Sequence, residues 1–410
     1  MSLFGGPMIP DSGGPMMPVR SLSTSYVGHV ATGCRVPQSL NAPTAAQMMS
    51  RSRHRMAAST PTIRIGIPHW FIANTNSSAI EETVAAGAAL FTGSLEYPAG
   101  TFTQLTWDGQ IEPFLVPIGT FFSDPVTAPP QGAFFYIRIW RDTTVVGGGA
   151  TLPCMKWPNG VDTANGEACT YGATGIADQT MGGTITNTTN GVMFSPIAII
   201  GTTNQPSIGV VGDSRAFGLG DTFTGTSGGI GEIERAVNSN YAVMNLGVSG
   251  DQGNSFLFSN ALRFSALRFC SHLICQYGIN DIVTGGDSLA TVQNALKNVW
   301  SYWRDPTKVF QTTLPPYTTS TDSWATLVNQ TPNAAESVRV AVNDWIRTIP
   351  SGLHGFFEVA NQVENSQDGG KWQVNGSAFF YTPDGVHENS TSNIAIANSG
   401  CFQLGAFTLP

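Results

Sequence analysis

Four short stretches of this chain hold the residue types that acyl transfer requires. They are Gly212-Asp213-Ser214, Gly247-Val248-Ser249-Gly250, Gly278-Ile279-Asn280-Asp281 and Asp384-Gly385-Val386-His387. Serine is a weak nucleophile and needs an adjacent base to take its proton. His387 is the best placed of six histidines. Asp384, three residues earlier in a turn, can accept from one ring nitrogen and leave the other as base toward Ser214. Attack creates a tetrahedral oxyanion, for which the Ser214 and Gly247 N–H groups and the Asn280 side-chain amide are the candidate donors. Losing one such donor typically costs about 10² to 10³ in rate.

Each piece also has a plainer reading. Asp and Ser are favoured helix N-caps, and a second Gly-Asp-Ser at 286–288, with no strand before it, reads as a cap alone. Gly247 is a turn glycine on its own, Asn280 a turn cap, and Asp384-Gly385 a common turn pair. His29 and His54 fall in the N-terminal region, His69 in the β-rich region and His272 inside a buried run, while His354 precedes a strand. Gly225-Thr226-Ser227-Gly228-Gly229 matches a nucleophile elbow in letters only, because its lead-in, GDTFT, is polar where a buried strand is needed.

The elements that must position these residues are visible from about residue 205. Five apolar runs lie at 207–212, 241–246, 272–277, 308–313 and 355–360, with helix-compatible segments clearest at 288–303 and 333–348. Strands alternating with helices imply right-handed crossovers and a parallel sheet covered on both faces. Ligands bind such sheets beyond the carboxyl ends of the strands. Three of the four stretches directly follow an apolar run and the fourth comes after the last one, so their residues converge on one rim.

Residues 61–204 read instead as β. TIRIGIPHWFIA, TFTQLTW, AFFYIRIWR and GVMFSPIAII are β-branched and aromatic runs separated by Gly/Pro/Asn clusters. A β-sandwich or jelly-roll-like module is expected, with Trp70, Trp107, Trp140 and Trp157 as core residues or a sugar-binding face. Residues 1–60, rich in Gly, Pro, Met, Ser and Arg, are expected to form an extended arm ordered against a partner and open to self-association. The basic cluster SRSRHR reads as a solvated or subunit-contacting segment.

Charged residues make up 11% of the 410, against roughly 25% in ordinary soluble domains. A net charge of −8 argues against a nucleic-acid binder, and no apolar run has the length of a membrane span. The first twenty residues lack the pattern of a secretory signal. An extracellular, virion- or surface-associated protein, exported or released by another route, is expected. The six cysteines show no metal-ligand spacing. Cys154 and Cys169 are either a bridge closing a short loop or two buried thiols. Cys270 and Cys275 on one strand would lie about 17 Å apart, too far to join.

Taken together and in order, GDSRAFG (212–218), NLGVSG (245–250), GIND (278–281) and DGVH (384–387) resemble the motif blocks of the SGNH hydrolase superfamily, the GDSL-type esterases. The resemblance covers about residues 205–400. It implies an α/β fold: a three-layer α/β/α, flavodoxin-like parallel sheet with strand order 2-1-3-4-5. It further implies Ser214 as nucleophile, His387 as base, Asp384 as its orienting partner, and Gly247 and Asn280 as oxyanion donors beside Ser214. No metal or organic cofactor is implied. The upstream β-module is similar to arrangements in bacterial and phage-encoded carbohydrate esterases, which points to acetylated sugars as substrate. Trp372 and Tyr381, near the Asp/His block, either stack on a sugar ring or pack beneath the loop. The resulting expectation is a short-chain esterase acting on an acylated carbohydrate. The competing expectations are a virion or surface structural protein with an idle hydrolase domain, and a lipase or thioesterase.

Overall fold

The computed structural model describes residues 25–38, 45–74, 80–84, 88–115, 119–144, 155–156, 161–187, 192–223, 228–303 and 307–409. Cys154, Trp157 and Ser227, and residues 1–24 of the expected arm, lie outside the described residues.

The five apolar runs form parallel strands at Ser207–Gly212, Ala242–Asn245, His272–Gln276, Lys308–Thr312 and Gly355–Phe357. Their spatial order is 2-1-3-4-5, with the short strand Cys34–Arg35 added outside the second. Alternation along the strands divides the core. Val211, Met244, Leu273 and Val309 pack with Val292, Leu296 and Val299 of helix Leu289–Ser301, and with Val342 and Ile346 of helix Glu336–Arg347. Ile208, Val210, Val243 and Ile274 pack with Ile233 and Val237 of helix Gly231–Val237, and with Ile396 of helix Ser390–Asn398. The second Gly-Asp-Ser is a cap, with Ser288 Oγ accepting from the Thr291 N–H.

The β-rich region contains two larger antiparallel sheets, beside two-stranded ones at Trp70–Asn74/Ile80–Val84 and Met155–Lys156/Val192–Met193. One larger sheet runs in the order Tyr26–His29, Ala198–Thr203, Thr62–Pro68, Thr120–Phe122. The other runs Ala168–Gly172, Gln47–Arg55, Phe134–Asp142, Ala89–Glu96, Phe102–Gln104. Ile63, Ile65 and Ile67 of the first share one core with Phe91, Phe135, Ile137 and Ile139 of the second. Trp70 and Trp107 are buried and serve packing, while half-buried Trp140 donates through its indole N–H to Ile176 O.

The N-terminal region differs from the extended arm expected of it. From residue 26 it supplies strands to three sheets. The basic cluster is the Gln47–Arg55 strand, paired on both sides. Its inward positions are Ser50, Ser52 and His54, all buried, with His54 Nδ1 2.8 Å from Thr32 O. Its arginines lie across the strand surface, where Arg51 pairs with Glu96 at 2.8 Å and stacks on Tyr136. Small polar residues with local partners fill the positions where apolar residues would have announced a strand.

The same region braces the parallel sheet. Arg35, 2% exposed, pairs with buried Glu234 at 2.5 Å and donates to Phe217 O at 2.8 Å, at the end of the helix that begins with Ser214. Removing one partner of a buried pair leaves the other charge uncompensated, at a typical cost of about 3–5 kcal/mol. Arg35→Met is therefore expected to lower unfolding stability by about 3 kcal/mol in urea titration. A loss under about 1 kcal/mol would show that the brace contributes no more than a surface pair.

Candidate active site

At the carboxyl end of strand Ser207–Gly212 the chain turns into a four-residue helix, Ser214–Phe217. The cap of that helix is Asp213, whose Oδ1 accepts from the Arg215 N–H at 2.9 Å. Ser214 is thereby the first helical residue, with its hydroxyl released from capping. Ser214 Oγ lies 2.8 Å from His387 Nε2, and His387 Nδ1 lies 2.6 Å from Asp384 Oδ2. The other Asp384 oxygen accepts from the Val386 and His387 N–H groups at 2.9 and 2.8 Å. Burial opposes ionisation of Asp384, but its hydrogen bonds with the His387 ring, the His387 backbone N–H and the Val386 N–H outweigh it and hold the carboxyl at about 2. An ionised Asp384 fixes the ring tautomer that leaves Nε2 as an acceptor toward the serine.

Arg215 ties the two loops together. It is 2% exposed, and its Nε and Nη2 both donate to Val386 O, at 3.0 and 2.6 Å, with a further bond from Nη2 to Pro316 O at 3.1 Å. Glu388, on the far side of His387, is 3.8 Å from its guanidinium. The residue after the serine therefore grips the carbonyl just before the histidine.

Gly247 does not occupy the position expected of an oxyanion donor. Its N–H donates to Asn245 Oδ1 at 2.9 Å, closing an Asx-type turn. The glycine is required there for close approach, since a Cβ would come within 2.8 Å of Phe217 N and 2.9 Å of Ala216 C. The N–H of Gly250, in the same loop at φ +82°, carries no hydrogen bond among the described residues, and neither does that of Ser214. Asn280 Nδ2 donates to Asp251 O at 3.1 Å, which ties it to the residue that follows Gly250. Buried Asp251 is held in turn by Arg263 at 2.6 Å and Tyr277 OH at 2.7 Å. The spacing of Asn245 two residues before Gly247 is the sequence signal that could have separated the two glycines.

Trp372 is fully buried, and its indole N–H donates to Gly385 O at 3.0 Å, beneath the Asp384–His387 loop. This overturns its reading as a substrate-binding residue, because no face of the ring reaches solvent. Tyr381 is half-buried and stacks on Phe380 at 4.2 Å between centroids. Burial drives His29, His54 and His272 down to about 4, so these rings stay neutral inside the protein. Among the described residues, no group of three His, Cys, Asp or Glu side chains could hold a metal ion, and no helix is long and apolar enough to cross a membrane.

Beneath Ser214 lies a set of buried acids. Burial, opposed by Arg215, drives Asp213 up to about 7, and burial beside Glu388 pushes Glu232 upward as well. Glu167, in the β-rich region, rises to about 7 by burial. Folded Asp213 keeps a proton that the unfolded chain releases near 3.8. The stability this adds is complete below that value and is lost as pH rises through about 7. The buried histidines act in the opposite direction, but only below about pH 6.5, their unfolded value. Unfolding free energy should therefore fall between about pH 6.5 and about pH 8.5, and Asp213→Asn should flatten part of the slope. A level wild-type profile over that window would contradict the assignment.

No protein-family model matches the chain, and no curated protein does. Solved structures similar to it include a carbohydrate acetylesterase from Sinorhizobium meliloti, at 12% identity and a TM-score of 0.34, covering 49% of this chain and 99% of that one. The M. smegmatis aryl esterase is similar at 15% identity and a TM-score of 0.34, covering 49% of this chain and 99% of that one. A peptidoglycan O-acetylesterase is similar over 93% of this chain and 82% of its own, at 12% identity and a TM-score of 0.40.

Proposed function

We propose that the protein is a serine esterase that removes short acyl groups, acetyl foremost, from a carbohydrate. The observation that carries this reading is the hydrogen-bonded sequence Ser214–His387–Asp384, at 2.8 and 2.6 Å, on the carboxyl rim of a parallel sheet. That geometry supports Ser214 as nucleophile and His387 as base, with Asp384 orienting the ring. Acetyl and sugar rest on the resemblance of the upstream β-module to arrangements in carbohydrate esterases. The fold that fits is a three-layer, flavodoxin-like unit over 205–410 with a sandwich-like β-module before it, and the location that fits is extracellular or surface-associated.

In this mechanism Ser214 Oγ attacks the ester carbonyl as His387 Nε2 takes its proton, while Asp384 holds the ring and balances the imidazolium. The oxyanion is met by the Ser214 and Gly250 N–H groups and by Asn280 Nδ2. Collapse expels the sugar alcohol, which leaves with the proton from His387. Water, deprotonated by the same nitrogen, then attacks the acyl-serine and releases the carboxylic acid with Ser214 restored.

Hydrolysis of p-nitrophenyl acetate and of a long-chain ester tests this directly. Ser214→Ala is expected to abolish acetate turnover, and Asn280→Ala to lower kcat by about 10² to 10³, with long-chain ester cleaved far more slowly by the wild type. Ester cleavage that survives Ser214→Ala would overturn the proposal.

A further inference from the structure

We propose that Trp324 and Phe379 form the face on which the ring of a sugar ester stacks while its acyl group lies at Ser214; this rests on the esterase reading above. Six non-glycine residues among those described have positive φ, and three of them meet in one patch: Ser323 and Trp324 at 58° and Phe379 at 56°. Bulky L-residues adopt this region only at a cost, and such outliers concentrate where a ligand must be met. Here two strained segments are joined to each other, since the Phe379 N–H donates to Ser323 O at 2.7 Å. The two rings lie 6.0 Å apart at 44°.

The patch is built to hold its shape. The Asp322 carboxylate accepts from Ser320 Oγ, Thr326 Oγ1 and Asn329 Nδ2. The Trp324 N–H donates to Ser320 Oγ at 2.9 Å, and its indole N–H to Thr318 Oγ1 at 2.9 Å. It is also fastened to the loop that carries the proposed base. The Thr318 N–H donates to Gly385 O at 2.9 Å, and Asn389 Nδ2 donates to Phe379 O at 2.7 Å. A Cβ on Gly385 would come within 2.6 Å of Trp324 Cζ2, so the indole edge rests on the Asp384–His387 loop. Phe379 is nonetheless 47% exposed. Core packing does not require an open aromatic face beside strained backbone. A pyranose, with an apolar C–H face and a hydroxyl rim, matches a flat ring surrounded by amides and hydroxyls; an acyl chain would need an enclosed apolar groove.

The test is the ratio of kcat/KM for a peracetylated methyl pyranoside to that for p-nitrophenyl acetate, in the wild type, Phe379→Gly and Phe379→Leu. The ratio is expected to fall about fivefold in both variants, because each loses the flat ring. Phe379→Gly should also unfold at a higher temperature than Phe379→Leu, since glycine suits φ +56°. An unchanged ratio in the folded variants, or a wild type that cleaves p-nitrophenyl acetate but no pyranoside ester, overturns the platform and leaves the esterase standing. Loss of neither activity in Ser214→Ala removes the esterase reading, and the platform with it.

Discussion

The 2.8 Å hydrogen bond between Ser214 Oγ and His387 Nε2 joins two loops 173 residues apart, and the surrounding structure is arranged to keep it short. Neither loop can do so alone. The serine sits on a helix of a single turn, too short to be stable by itself. The histidine sits in an irregular segment between Tyr381 and the helix Ser390–Asn398. Their distance is set by what crosses between them, and Arg215 is the principal crossing. A guanidinium that makes two bonds to Val386 O and one to Pro316 O fixes position and direction together, which a single ammonium could not.

This arrangement buries charge beside the proposed nucleophile. Asp213, Arg215, Glu232 and Glu388 are all 2% exposed or less. One cation among three carboxyl groups cannot balance them all in ionised form, and protonation of some is the cheaper outcome when water is excluded. The raised pKa values of Asp213 and Glu232 express that balance. Around Asp384 the opposite holds. It lies at the surface end of the chain of hydrogen bonds, meets the His387 ring and two N–H groups, and stays ionised. Two carboxyl groups close to one serine are thus driven apart by environment alone, one to cap a helix and one to orient a base.

The parallel sheet could be read in the sequence because its strands are short, largely buried and mostly apolar runs separated by glycine-containing and helix-compatible segments. The serine and the asparagine were legible because they stand just past such runs, and the aspartate and histidine because Asp384 precedes His387 by three residues in the turn-forming DGVH. What escaped notice was decided by partners rather than by pattern. The Gln47–Arg55 strand turns Ser50, Ser52 and His54 inward, where Ser50 Oγ meets the Phe194 N–H and His54 meets Thr32 O, so its letters resemble a basic coil. Gly247 and Gly250 look alike in NLGVSG, and only the side chain of Asn245 distinguishes the satisfied N–H from the open one. Trp324 and Phe379 lie in stretches with no periodicity, and nothing in their identity foretells a positive φ.

The N-terminal strands give the two halves a common structural purpose. Cys34–Arg35 extends the parallel sheet beside Ala242–Asn245, the strand that leads into the Gly247–Gly250 loop. Arg35 meets Glu234 and Phe217 O, Asn245 Nδ2 meets Glu234 and Ala216 O, and Gln38 Nε2 meets Gly247 O. One buried carboxylate therefore collects an arginine from the start of the chain and an amide from the second strand, and both also touch carbonyls of the Ser214 helix. A displacement of the N-terminal strand would be felt at the serine through Phe217 O and Ala216 O before any residue of the Ser214–His387–Asp384 set was altered. The β-rich region is consequently more than an appendage to the parallel sheet: through residues 34–38 its chain supports the floor on which the serine stands.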